Sequence, residues 1–315
     1  MSDDGFRHEA LLYSGEADFL IGTVAFIRRG LEAGEAVLVV ESPAKVAALR
    51  RELGEDASSV HFADMSRVGS NPARIIPAWR EFVAEHGRGG KGMRGIGEPI
   101  WAERTPDELV ECQRHESLLN VAFAGGLPWR LLCPYDISAL PPEVIDEARR
   151  SHPYVTQRHV ELPSPQYRGL EESARQPDAP LRRPPPDAAG MPFRQDDLAR
   201  VRELAGRLAA RAGLDPNRTS DMVCAVNEVA TNSIRHGGGG GSFLVWEDGG
   251  GIVCEIRDRG RYDKPLADRE RDPGTSGSRG LWLANQLCDL MQIRSYPTGT
   301  VVRLLMRVRA QAPQN

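Results

Sequence analysis

Residues 163–190, PSPQYRGLEESARQPDAPLRRPPPDAAG, constrain the fold of this chain more than any other stretch. Seven of these 28 residues are proline, and large apolar side chains are scarce. Such a segment buries too little surface to offset the entropy of ordering it, and its prolines favour extended backbone. A single hydrophobic core cannot run through it. The chain therefore reads as one unit over 1–162, a linker over 163–190 and a second unit over 191–315. With 315 residues, 40% of them hydrophobic and 27% charged, there is apolar mass for two cores.

Several function classes are disfavoured by composition. The formal net charge is -4 and no basic stripe is present, so nucleic acid is not an expected partner. No apolar run approaches the roughly 18 residues that a membrane span needs. The start, MSDDGFRHEA, is polar and acidic, unlike a secretory signal, and a cytoplasmic protein is expected. The five cysteines, Cys112, Cys133, Cys224, Cys254 and Cys288, are scattered and lack CxxC spacing. A disulfide framework or zinc site is not expected from that spacing, and all five read as buried small hydrophobes.

In the first unit, helical and strand-like patterns alternate. FLIGTVAFIRRGLEAG is an amphipathic helix ending at Gly34, and PAKVAALRREL is a helix with Pro43 in its first turn. NPARIIPAWREFVAEHG, TPDELVECQRHESLLNVAF and PPEVIDEARRSH read as further helices. EAVLVVES and WRLLCPYD are continuous apolar runs of the buried, parallel-strand type, and VHFAD is a short strand. This order predicts an α/β fold around a mostly parallel sheet. The G-x-x-x-x-G-K-[ST] phosphate loop is absent. Glu98 and Trp101 stand out in RGIGEPIWAER. Arg7, His8, Tyr13 and Ser14 are candidates for a pocket lining or for plain packing. Glu111, Cys112, His115 and Glu116 fall within about one turn of helix and could ligate a metal, but one turn presents three ligands awkwardly. A solvated or salt-bridged face is the preferred reading there.

The second unit has a different rhythm. DDLARVRELAGRLAARAG places Leu198, Val201, Ala205, Leu208 and Ala212 on one stripe, with Gly213 suited to the helix end. SDMVCAVNEVATNSIRHG is a second helix, and GLWLANQLCD a third. SFLVWEDGGGIVCEIRDRG and MQIRSYPTGTVVRLLMRV read as β-hairpins turning near Asp248–Gly251 and Pro297–Gly299. The expectation is an α+β sandwich with its helices on one face of the sheet.

On the Ser220–His236 helix, Met222, Val223, Val226, Val229, Ala230 and Ile234 cover one side at about 100° per residue. Glu228, Asn232 and His236 follow one another by single turns on the other. An amide oxygen is a neutral hard ligand for Mg²⁺, and a nearby carboxylate can serve as a general base. Asp258, before Gly260, can accept a hydrogen bond from an amino-bearing ring. The polar stretch KPLADRERDPGT then leads into SGSRGLWLANQLCD, where a glycine-containing loop entering a helix presents free N–H groups to phosphate. Each feature alone also fits a solvated face, a turn or an ordinary helix start. His236 could touch phosphate or simply close the helix, and the run Gly237–Gly241 reads as a hinge loop.

In this order, across 191–310, the features resemble the GHKL ATPases. The resemblance implies a Bergerat-type α+β sandwich that binds ATP with Mg²⁺. By that resemblance Asn232 is the Mg²⁺ ligand, Glu228 the catalytic carboxylate, and Asp258 with Gly260 the adenine end. Gly280 lies at the phosphates with Leu281 behind it, and 262–279 is the ATP lid. One departure is Tyr262, where a second glycine often follows in D-x-G-x-G. The compact length and GLWLANQLCD are similar to the RsbW-like anti-sigma kinases. That branch implies serine/threonine kinase activity on a STAS-type anti-sigma antagonist, capture of a sigma factor, and a homodimer.

Residues 6–155 resemble the MEDS sensory domain through HEALLYSG, GEAVLVVESPAKV, NPARIIPAWREF, GIGEPIWAER, ECQRHESLLNVAF and LLCPYD. That family implies a RecA-like parallel sheet without a phosphate loop, and sensing of small, hydrocarbon-like signals. The expected protein is a bacterial signalling regulator in which a sensor biases an ATP-dependent kinase. Two alternatives remain: a partner-switching adaptor without catalysis, and a histidine kinase with His152 or His159 as phosphoacceptor.

Overall fold

The computed structural model describes residues 5–87, 92–157, 160–175, 177, 180–269 and 278–308. The chain divides into two compact units, 1–175 and 176–315.

The first unit runs β1 Phe6–Tyr13, α1 Gly15–Glu32, β2 Ala36–Glu41, α2 Pro43–Leu53, β3 His61–Asp64, α3 Met65–Val68, α4 Ile75–His86, β4 Met93–Gly97, α5 Pro106–Ala122, β5 Trp129–Asp136, α6 Pro142–Ser151, β6 Tyr154–Gln157, β7 Val160–Pro163 and α7 Gly169–Ser173. Its sheet has the order β3-β2-β4-β5-β1-β6-β7. All neighbours are parallel except β6 and β7. The predicted α/β class is therefore present, with an antiparallel ribbon at one edge. Val37 and Val39 of β2, Ile96 of β4 and Leu132 of β5 meet Phe19, Phe26 and Ile27 of α1 in one core.

Two central strands were not legible. Arg7, His8 and Glu9 interrupt the apolar run of β1, yet His8 and Glu9 are buried. β4, MRGIG, carries two glycines in five residues, and they make room for a ring. A methyl group on Gly95 would lie 2.8 Å from Trp79 Cζ3, and one on Gly97 would lie 3.0 Å from Trp79 Cζ2. Of the solvated or salt-bridged face expected on α5, the solvated part is a misreading, because Glu111, Cys112, His115 and Glu116 are all buried. Glu111 pairs with Arg114 of the same helix at 3.6 Å. The cysteine reading needs one correction, because Cys224 is exposed while the other four are buried.

The second unit runs β8 Ala189–Phe193, α8 Leu198–Arg211, α9 Pro216–His236, β9 Gly241–Asp248, β10 Gly251–Asp258, α10 Ser278–Leu287, β11 Leu290–Tyr296 and β12 Gly299–Arg307. The strands form an antiparallel sheet ordered β11-β12-β10-β9-β8. Ile252, Cys254 and Ile256 of β10 share one core with Val302, Leu304 and Met306 of β12. Val201, Ala205 and Ala209 of α8, Met222, Val226 and Val229 of α9, and Ala284 of α10 complete it. This is the expected α+β sandwich, of the GHKL class. β8 extends the sheet by one strand that the alternation did not reveal, since AGMPF contains a glycine and a proline.

α9 is well started. Asp215 accepts hydrogen bonds from the N–H groups of Asn217 and Arg218, and Pro216 follows at the first helical position. These satisfy donors that a helix start leaves bare. Asp215→Ala is expected to cost about 1 kcal/mol, read as a lower urea midpoint with an unchanged slope.

Candidate functional site

α9 brings Glu228 and Asn232 to the same face, one turn apart and both half-buried. Their opposite wall is the first turn of α10. A methyl group on Gly280 would lie 2.9 Å from Glu228 Oε2 and 3.0 Å from Asn232 Nδ2. No side chain larger than hydrogen fits there without moving the two polar groups. Asn232 Nδ2 is buried and has no hydrogen-bond partner among the described residues. Leu281, next to Gly280, packs on the core.

The end of β10 is bound to the last turns of α9. Ser233 Oγ donates to Asp258 Oδ2 at 2.6 Å, and the Gly260 N–H donates to Asp258 Oδ1 at 2.8 Å. The Arg259 N–H donates to the Gly237 carbonyl at 3.0 Å. Gly237 is needed for this approach, because a methyl group on it would lie 2.4 Å from Asp258 Cγ. Thr300 Oγ1, on β12, donates to the Gly260 carbonyl at 2.9 Å. Each Asp258 oxygen is thus held by one donor, and a carboxylate oxygen has capacity for more. His236 is exposed at the end of α9.

Of the stretch read as a lid, 262–269 and 278–279 fall within the described residues and 270–277 outside them. The Tyr262 N–H donates to Ser295 Oγ at 3.2 Å, and its phenol donates to Asp268 Oδ1 at 2.7 Å. Asn285 of α10 donates to the Asp268 carbonyl at 3.0 Å and to Asp268 Oδ2 at 3.2 Å. Tyr262 therefore replaces glycine flexibility with a side-chain tie between the end of β10 and α10. Sequence reasoning missed Ser233, Asp268 and Asn285. Ser233 had a faint signal, as a hydroxyl one residue past Asn232 on the inner side of the helix.

Residues 191–306 match the family model described as the histidine kinase-like ATPase domain. Residues 7–153 match the model described as MEDS, the methanogen/methylotroph, DcmR sensory domain. The chain is a MEDS domain joined to a histidine kinase-like ATPase domain. A solved structure, the RsbU and RsbW domains of Rv1364c from Mycobacterium tuberculosis, is similar at 22% identity. That match covers 40% of this chain and 34% of the other, at a TM-score of 0.30. The chain thus spans about a third of that structure's length. The comparison with curated proteins gave no match.

The ATPase domain has a donor set that suits Mg-ATP. The unpartnered amide of Asn232 can turn its oxygen to a hard cation that keeps most of its waters. The small cradle at Gly280 admits a phosphate against the start of α10. A bound Mg²⁺ would screen the phosphate charge there.

The MEDS domain has its own polar cluster at the carboxyl ends of β1, β2 and β4, the edge where open α/β sheets take ligands. Lys45 donates to Tyr13 Oη at 2.6 Å and pairs with Glu98, and Tyr13 donates to Glu98 Oε1 at 2.8 Å. Lys45 was not singled out in the sequence. Trp101, which was, stacks under the Arg104 guanidinium at 3.7 Å. Ser14 stands at the N-cap position of α1 without a side-chain cap, and its N–H donates to Asp18 Oδ2 at 2.9 Å. Arg7 lies 3.7 Å over the Tyr154 ring, and so packs rather than lining a pocket.

Glu41, at the end of β2, is 1% exposed, and its Oε1 has no hydrogen-bond partner among the described residues. Burial, then the neighbouring Glu98 carboxylate, hold its carboxyl well above the usual carboxylate range. A carboxyl raised on folding stabilises fully below its unfolded value of about 4.3, and that contribution is lost as pH rises through the folded value. Glu41→Gln removes this loss. The variant should gain thermal stability over wild type as pH is raised from 4 to 8, with the gap closing at the acid end of a melting series.

Proposed function

We propose that this chain is a sensor-coupled protein serine/threonine kinase of the RsbW-like kind. It would use Mg-ATP to phosphorylate a STAS-type anti-sigma antagonist and would sequester a sigma factor when that antagonist is phosphorylated. The observation that carries this reading is the shared face of Glu228 and Asn232, closed by Gly280. In phosphoryl transfer the protein mostly positions groups and stabilises charge, so a short list of residues is enough. Asn232 would hold Mg²⁺, Glu228 would accept the proton of the substrate hydroxyl, and Asp258 with Gly260 would receive the adenine edge. Gly280 would admit the phosphates, with Leu281 supporting that turn from the core. A homodimer is part of this reading.

At the other end, a small-molecule signal would act on the MEDS domain at the carboxyl edge of its sheet, where Tyr13, Lys45, Glu98 and Glu41 meet. A phosphoacceptor role for His152 is disfavoured by its position, since the side chain is 0% exposed. His159 lies outside the described residues.

A second reading has one observation in its favour. Tyr262 occupies the place of a family glycine and is tied to Asp268. A domain stiffened there could grip a sigma factor or antagonist as a non-catalytic, partner-switching adaptor. The two readings separate on Glu228→Ala, assayed with labelled ATP and a STAS-type substrate. A kinase should lose transfer by at least about a hundredfold, in line with loss of a general base, and keep its ATP affinity within a few-fold. Phosphate on the partner at the wild-type rate would remove Glu228 from this role. Absence of transfer by the wild type, with the partner still captured without ATP, would favour the adaptor.

A further inference from the structure

Four side chains from distant parts of the MEDS domain converge inside its core. His8 comes from β1, Glu116 from α5, Cys133 from β5, and His152 from the residue that ends α6. β1 and β5 are adjacent and parallel, with Ala10 opposite Cys133, so His8 and Cys133 share a sheet face. One ligand-type atom from each side chain lies within 4.8 Å of all the others. All four residues are at most 1% exposed.

The hydrogen bonds around the cluster fix which atoms face inward. Asn120 Nδ2 donates to the Ser151 carbonyl at 2.7 Å, which leaves Asn120 Oδ1 as an acceptor. That oxygen lies 3.2 Å from His8 Nδ1, so Nδ1 carries the proton. His152 Nδ1 lies 2.8 Å from the Ala148 carbonyl, and again must donate. With Nδ1 of each ring engaged on the outer side, Nε2 of each ring points inward. His8 Nε2 is 3.1 Å from Glu116 Oε2 and 3.3 Å from Cys133 Sγ. His152 Nε2 is 3.1 Å from the same Glu116 oxygen. Apart from that ion-pair contact, His152 Nε2 and Glu116 Oε1 have no hydrogen-bond partner among the described residues.

The cluster thus gathers two imidazoles, a carboxyl and a thiol around one point, a donor set that suits a cation.

We propose that His8, Glu116, Cys133 and His152 form a buried, four-coordinate site for a divalent cation of the zinc class. Neighbouring donors around tetrahedral zinc are about 3.3–3.8 Å apart, given bonds of about 2.0–2.3 Å. The observed 3.1 and 3.3 Å contacts are close to that spacing. Cys133 binds as thiolate and releases its proton to solvent. The dication, thiolate and carboxylate then sum to zero charge, which a core tolerates far better than an unpaired ion. Asn120 and the Ala148 carbonyl are the outer partners that metal-bound histidines ordinarily have. The site ties β1, α5, β5 and α6 together, so its occupancy contributes to the folding of the sensory domain.

The test uses the full chain, produced with Zn²⁺ and separately with Co²⁺, then dialysed against chelator. We expect about one equivalent of metal per chain, retained because the site is closed, and a thiolate-to-cobalt charge-transfer band in the near ultraviolet. Cys133→Ser should abolish the band, while Cys112→Ser, another buried cysteine of the same domain, should keep it. If Cys133→Ser fails to fold, His152→Gln serves in its place and should shift the band and lower the retained metal severalfold. A folded wild-type chain with no retained metal and no band, or a band that survives Cys133→Ser in folded protein, overturns the site.

Discussion

The close contact between the last turn of α9 and the end of β10 sets the geometry of the ATPase domain. Gly237 has no side chain, so Asp258 can come under the helix and be held by Ser233. The same contact puts Gly260 against the His236 carbonyl, where a methyl group would lie 2.8 Å from that oxygen. Helix and sheet are then locked at one angle, and Glu228 and Asn232, further back on α9, face the start of α10. The run of five glycines reads as a hinge loop in the sequence. In the structure its first member is a packing requirement, which a local reading of flexibility cannot reveal.

The ATPase half was the more legible of the two. Its helices carry clear apolar stripes, and Glu228, Asn232, Asp258 and Gly280 lie in short motifs whose order is itself informative. The pairing of Ser233 with Asp258 was hidden because it joins residues 25 apart in sequence through a turn of helix. The Tyr262–Asp268–Asn285 tie was hidden for the same reason, since its members belong to a loop and a helix that meet only on folding.

The MEDS half was harder because its core is polar in places. Period and apolarity find strands that bury aliphatic faces. β1 begins with Arg7, His8 and Glu9, and β4 is nearly half glycine-lined space for Trp79, so neither gave that signal. On α5 the polar residues that suggested a solvated face are turned inward. Burial of that many ionisable groups is costly unless each has a partner. Most find one in a neighbour, as Glu111 does in Arg114. Cysteine spacing could not expose the His8–Glu116–Cys133–His152 cluster, because its members come from four elements and only one is a cysteine.

The two halves thus use different physics for related ends. The MEDS domain concentrates charge in its interior and at one sheet edge, whereas the ATPase domain buries charge in pairs such as Glu255 with Arg303 and carries Glu228 and Asn232 on one face of α9. On the proposed function, this face of α9 is a Mg-nucleotide site. Calorimetric titration of the full chain with ATP in the presence of Mg²⁺, beside Asn232→Ala, tests it most directly. The account predicts saturable binding by the wild type that weakens at least tenfold in the variant. Equal affinity in the two proteins, or no binding by the wild type, would contradict it.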